Sequence, residues 1–195
     1  MKKKLTALAL AVFLLTAPAS AFSDVDSDQY YASPVAWAVD LGITTGTTET
    51  TFSPDNICTK GQILTFLWRS AGAPDPQAAE TPYADVTPDL NPDFYKAILW
   101  AYENNITAGQ TAGTFNPGGN CTSGHVVTFL WRANGKPSAS GSSTLAAANP
   151  GKYYTDAIAW ADAAGLLSGM GGDFVPGSSS PRADIVTYLY RDMEK

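Results

Sequence analysis

Apolar positions recur along this chain at the three- and four-residue spacing of amphipathic helices, in pairs, three times over. In the first pair, Tyr31, Val35, Ala38 and Leu41 share one side of a helix predicted over residues 30–41. Gly42 follows as a C-cap, where a left-handed residue ends a helix without steric cost. A Thr/Gly-rich loop over 43–56 comes next, with Phe52 predicted to plug into the core and Pro54 to stiffen the exit. Thr59 then opens a second helix, with Gln62 three residues on as a capping box and Ile63, Phe66 and Leu67 as its apolar stripe. The second pair places helices over 94–104 and from about Thr122. The third carries Tyr154, Ile158 and Trp160 on its first helix and starts its second at Ser180-Pro181.

The polar punctuation repeats with the helices. Thr65-Phe66-Leu67-Trp68-Arg69 returns unaltered as Thr128-Phe129-Leu130-Trp131-Arg132, and in weaker form as Thr187-Tyr188-Leu189-Tyr190-Arg191. Ahead of each copy stand a tryptophan (Trp37, Trp100, Trp160) and a Phe-x-Pro (Phe52-Ser53-Pro54, Phe115-Asn116-Pro117, Phe174-Val175-Pro176). Such self-similarity marks a unit that buries its apolar face only against its neighbours. The expected architecture is all-α, three tandem helix-loop-helix units over 22–72, 83–135 and 149–195. A short Pro/Ala-rich linker over 73–82 and a Ser/Gly/Ala-rich one over 136–148, expected to be flexible, separate them.

Residues 1–21 read as a secretory signal peptide: Lys2, Lys3 and Lys4, an apolar run from Leu5 to Leu15, and Ala19-Ser20-Ala21 as the cleavage site. No stretch approaches the roughly 20 apolar residues of a membrane span, so no membrane insertion is expected. Removing the signal lowers the basic residues from 12 to 9 against 18 acidic ones, a net charge of about −9. That balance excludes the basic stripe a nucleic-acid partner requires.

These motifs resemble S-layer homology domains: an aromatic helix, a glycine-bounded turn, a Phe-x-Pro and a Thr-Arg-Ala-Glu-like helix start, three times. Two copies also carry the family's Phe-x-Asp-Val opening, as Phe22-Ser23-Asp24-Val25 and Tyr83-Ala84-Asp85-Val86. The resemblance implies a pseudo-threefold prism whose inter-unit grooves bind a secondary cell-wall polysaccharide, often a pyruvylated one. It further implies a secreted, wall-held anchor without catalysis. The helix start departs from the family as Thr59-Lys60-Gly61-Gln62, Thr122-Ser123-Gly124-His125 and Pro181-Arg182-Ala183-Asp184. The basic residue survives as Lys60 and Arg182 but is Ser123 in the middle copy, and the third unit lacks the Asp-Val opening, so at most two competent grooves are expected. The alternative is a degenerate module that docks protein or self-assembles without reading glycan.

Lys60 and Arg182 sit where the helix dipole disfavours cations, which an anion docking at the helix start would explain. Trp37, Trp100 and Trp160 suit sugar stacking and core packing equally. Backbone N–H groups beside Gly46 and Gly109, with Asp24 and Asp85, complete the candidate glycan site. Cys58 and Cys121 occupy equivalent positions, and two readings stand: a disulfide closing a 64-residue loop, stabilising by roughly 4 kcal/mol, or two buried free thiols. His125 is the only histidine, so neither a zinc site nor a Ser/His/Asp triad can be assembled. Asp24-Val25-Asp26-Ser27-Asp28 begins like a calcium loop and fails at Gln29 and Val35. No cofactor, metal or catalytic carboxylate pair is expected.

Overall fold

The computed structural model describes residues 22–107 and 113–194; the expected signal segment and Gly109 lie outside them. Among the described residues seven helices form: α1 Ala32–Asp40, α2 Lys60–Ser70, α3 Pro92–Glu103, α4 Ser123–Ala133, α5 Thr144–Ala147, α6 Thr155–Ala163 and α7 Arg182–Met193. Among the described residues there are isolated β-bridges but no strand, so the chain is all-α. The caps are those the local chemistry dictates. Thr59 and Gln62 form a reciprocal capping box at α2, and Thr122 and His125 form another at α4. The first helix of each unit ends at a left-handed residue: Gly42 (φ 68°), Asn105 (φ 60°) and Gly165 (φ 69°). One residue later the amides of Ile43, Ile106 and Leu166 donate to the carbonyls of Ala38, Ala101 and Ala161, each at 2.8 Å.

The two main helices of a unit do not pack on each other. α3 lies on α2, α6 on α4 and α1 on α7, so each first helix covers the second helix of the unit before it. The last contact closes the ring between the two ends of the chain. α2, α4 and α7 also touch one another and surround a pseudo-threefold axis. Their fully buried side chains, among them Ile63, Leu64, Val126, Leu130, Ile185 and Leu189, form the common core.

Small residues make the axis possible. The Cys121 amide donates to the Cys58 carbonyl (2.8 Å), Ser180 to Cys121 (2.8 Å) and Cys58 to Ser180 (3.1 Å), a triangle of backbone bonds linking all three units. The next amides, the first two of each second helix, are satisfied by carbonyls of the following unit's loop. Lys60 and Gly61 donate to Gly119 and Pro117, Ser123 and Gly124 to Ser178 and Pro176, Arg182 and Ala183 to Asn56 and Pro54, all at 2.9–3.0 Å. These helix starts are therefore joints between units.

The joints leave little room. A Cβ on Gly124 would stand 2.8 Å from the Tyr154 ring and 3.0 Å from the Pro176 carbonyl oxygen. On Gly61 it would stand 2.8 Å from Phe94 and 3.2 Å from the Pro117 oxygen. Gly124→Ala is expected to destabilise by about 1–3 kcal/mol and Gly61→Ala by less, because the Pro117 carbonyl stands farther off. Urea midpoints measure both; a neutral Gly124→Ala would contradict this packing.

The segment 136–148, expected to be flexible, contains α5. Ser143 caps it, accepting from the Ala146 amide and donating to Asp162 at 2.6 Å. Leu145 and Ala146 pack against the core, and that burial orders a stretch whose composition reads as linker.

Candidate functional site

The cyclic packing leaves a groove wherever one unit's loop and second helix face the start of the next unit's first helix. In each, the floor residue comes from the remaining unit. Between units one and two the groove encloses about 230 Å³ and is lined by Thr44, Gly46, Gln62, Arg69, Asp93 and Phe94, with Arg182 at its floor. Between units two and three, Lys60 holds the corresponding place; His125 lies 5.5 Å from Tyr153 there, ring to ring, and part of the facing loop lies outside the described residues. Between units three and one the groove encloses about 500 Å³, and its floor is Ser123.

Both candidate cations are nearly buried, Lys60 at 8% exposure and Arg182 at 5%. Arg182 Nε donates to the Phe52 carbonyl at 2.9 Å, and its guanidinium lies 4.7 Å from the Phe52 ring and 5.2 Å from the Phe66 ring. Lys60 Nζ donates to the Phe115 carbonyl and stands 4.9 Å from that ring's centre. Each cation thus latches the Phe-x-Pro loop of the next unit, and cation–π attraction offsets part of its desolvation. Burial lowers the pKa of both groups. Among the described residues neither forms an ion pair; those that form are Arg69–Asp93 and Lys96–Asp75. Because the first two helix amides are occupied, the side-chain cations, and not backbone N–H groups, are what the floor offers to an anion.

Asp24 and Asp85 face the loops. Asp24 accepts from the amides of Phe52 (2.9 Å) and Ser53 (2.7 Å), and Asp85 from those of Phe115 (2.8 Å) and Asn116 (2.6 Å). Burial opposes ionisation of Asp85, but these amides outweigh it and hold the carboxyl below its ordinary range. The clamped Ser53 and Asn116 adopt φ of 58°, which Asn and Ser tolerate far better than the β-branched Val175 at the unclamped third position.

The other candidates divide. Trp100 and Trp160 are buried in the core, and Trp37 bonds Glu194 at 2.9 Å and meets Tyr190 edge-on; none lines either measured groove. Gly46 lines the first groove. Its amide donates to Thr44 Oγ1, and a Cβ there would strike Phe22 and the Thr51 oxygen at 2.6 Å, so glycine is required by close packing. Cys58 and Cys121 are free and buried beside the axis; burial pushes the Cys58 thiol up to about 11. No cluster among the described residues could hold a metal, and no helix among them is long and apolar enough to cross a membrane.

His125 completes the α4 capping box through Nδ1, which accepts from the Thr122 amide. Burial, then the charge of Lys60, lowers its pKa. The folded state therefore disfavours the proton relative to the unfolded chain. This contribution to stability is present above the unfolded value near 6.5 and is lost as pH falls through and below it. Urea midpoints at about pH 7.5 and 5.5 are expected to drop for the native protein. The drop should be smaller for His125→Gln, which keeps the cap as Gln62 does. An equal drop in both would contradict the assignment.

Residues beyond the candidate set also shape the grooves. The repeated arginines, Arg69, Arg132 and Arg191, donate to the carbonyls of Ile43 (3.2 Å), Ile106 (3.0 Å) and Leu166 (2.8 Å), fixing the start of each loop. Their recurrence in all three copies is the signal that could have found them. Tyr30 donates to Asp184 at 2.5 Å across the third groove, a 154-residue separation with no mark in the sequence.

Comparison with known proteins agrees with this architecture. The family model "S-layer homology domain" matches residues 21–64 and 82–124. An endoglucanase of Bacillus sp. (strain KSM-635) is 31% identical over 112 residues, 57% of this chain and 11% of that protein. A cell surface protein of Thermoanaerobacter kivui is 31% identical over 130 residues, 65% of this chain and 17% of that protein. The chain thus spans a small fraction of the length of either relative. With its helices closed into a three-part ring and its first two units matched by the family model, the chain carries S-layer homology domains over residues 21–64 and 82–124.

Proposed function

We propose that this protein is a non-covalent cell-surface anchor that binds an acidic secondary cell-wall polysaccharide in the grooves floored by Arg182 and Lys60. The family match and the relative named as a cell surface protein support surface anchoring. The observation that carries the glycan reading is the pair of nearly buried cations that, among the described residues, form no ion pair; Asp85 and Asp24 favour the charges of Lys60 and Arg182 only at longer range. Burial disfavours each charge, and an acid substituent such as a pyruvate ketal would supply a contact partner for it. Arg182 has guanidinium donors beyond those given to Phe52 and Thr44, and Phe94 supplies an apolar wall. The test is co-sedimentation with cell walls before and after acid extraction of their secondary polysaccharide. Binding lost with the polysaccharide supports the proposal; equal binding to both preparations, or to neither, overturns it.

A further inference from the structure

We propose that the groove between the third and first units takes a sugar of the opposite charge, a hexosamine bearing a free protonated amino group. The inference rests on the reading of the grooves as glycan sites and assigns a ligand class to the groove that departs from the other two.

Two changes open this groove. Ser123 stands where Lys60 and Arg182 stand in the other copies, and it donates to or shares protons with its own surroundings, Ser178 O and Ser180 Oγ. The loop above it has no aspartate clamp, and Phe174 is only partly buried where Phe52 and Phe115 are 0% and 1% exposed. The groove encloses about 500 Å³, against about 230 Å³ for the first groove. The larger value falls in the range of small-ligand sites.

The lining decides the class of ligand. Asp184 replaces Gln62 and His125 at the groove's inner edge, Asp55 and Asp173 join it, and no Lys, Arg or His is among the lining residues. The nearby Arg191 is turned onto the carbonyls of Leu166 and Ser168. An acidic sugar would meet three carboxylates and no cation, a repulsion that excludes the ligand the other floors attract. A protonated amine meets charge-assisted acceptors, and the partly exposed rings of Tyr30 and Tyr31 suit an ammonium and a sugar's apolar side. The Tyr30 hydroxyl holds the Asp184 carboxylate in place, so the acceptor is already oriented.

Calorimetric titration of the purified protein with tetraglucosamine, its N-acetylated form and an oligogalacturonate tests this. Tetraglucosamine is expected to bind, more weakly as salt rises, with the N-acetylated form at least roughly tenfold weaker, as befits loss of a charged hydrogen bond. The exposed Asp173→Asn, which carries no burden in the fold, and Ser123→Arg, which restores the floor cation, should both weaken tetraglucosamine. Equal affinity for the amine and acetylated forms would overturn the inference. So would indifference to Asp173→Asn and Ser123→Arg, or a tetralysine peptide competing as well as the sugar. Tetraglucosamine binding that persists when wall-polysaccharide binding is absent would sink the anchoring proposal alone; the reverse pattern would sink only this one.

Discussion

Replacing Lys60 and Arg182 together by alanine is expected to weaken binding to wall polysaccharide by roughly a hundredfold. Each substitution removes a charge-assisted hydrogen bond to the acid substituent, about 1.5–3 kcal/mol apiece. Both cations also latch loops through the carbonyls of Phe115 and Phe52, so the variant must be compared at a temperature where circular dichroism finds it folded. Arg182→Lys separates the two roles. It places at the third unit the residue that the first unit already carries, keeps the charge, and should retain most of the binding although a lysine cannot reproduce the guanidinium fork. If the folded double variant binds walls as tightly as the native protein, the cations only hold the ring together.

The second large effect is on stability. Asp85→Ala should destabilise by about 3 kcal/mol, because two backbone amides lose a charged acceptor and the Phe115 loop loses its anchor. Asp24→Ala should act alike on the Phe52 loop. The pH dependence has a definite sign. The folded pKa of Asp85 is depressed, so its contribution is present above the unfolded value near 3.9 and is lost as pH falls through the folded one. The native protein should lose more stability on acidification below about pH 4 than Asp85→Ala does. Chemical denaturation at neutral and acid pH measures both; a neutral phenotype for Asp85→Ala would show that the loop holds without its clamp.

Local chemistry was legible in the sequence wherever one unit sufficed to specify it. The capping boxes at Thr59 and Thr122 and the left-handed stop at Gly42 follow from residue type and spacing. So does the burial of Phe52. What could not be read is whatever brings distant segments together, whether from two units or from the two ends of one. Nothing local to Lys60 announces that its amide and ammonium reach the second unit's loop. Asp24 and Asp85 read as groove residues from their motif, yet both carboxylates face backbone amides some 28–31 residues away. Trp100 and Trp160 were evenly balanced between sugar and core because periodicity gives a helix's apolar face without saying which unit covers it; the cyclic packing buries them. The cysteines make the same point. Equivalent positions meet only near a symmetry axis, and the triangle through Cys58, Cys121 and Ser180 is that axis.

The most direct measurement of the central claim is the affinity of the purified protein for isolated wall polysaccharide, intact and after selective removal of its acidic substituents. The account predicts that affinity falls by roughly a hundredfold with the acid group, matching the loss in the Lys60→Ala, Arg182→Ala variant. Unchanged affinity for the stripped polymer would contradict it.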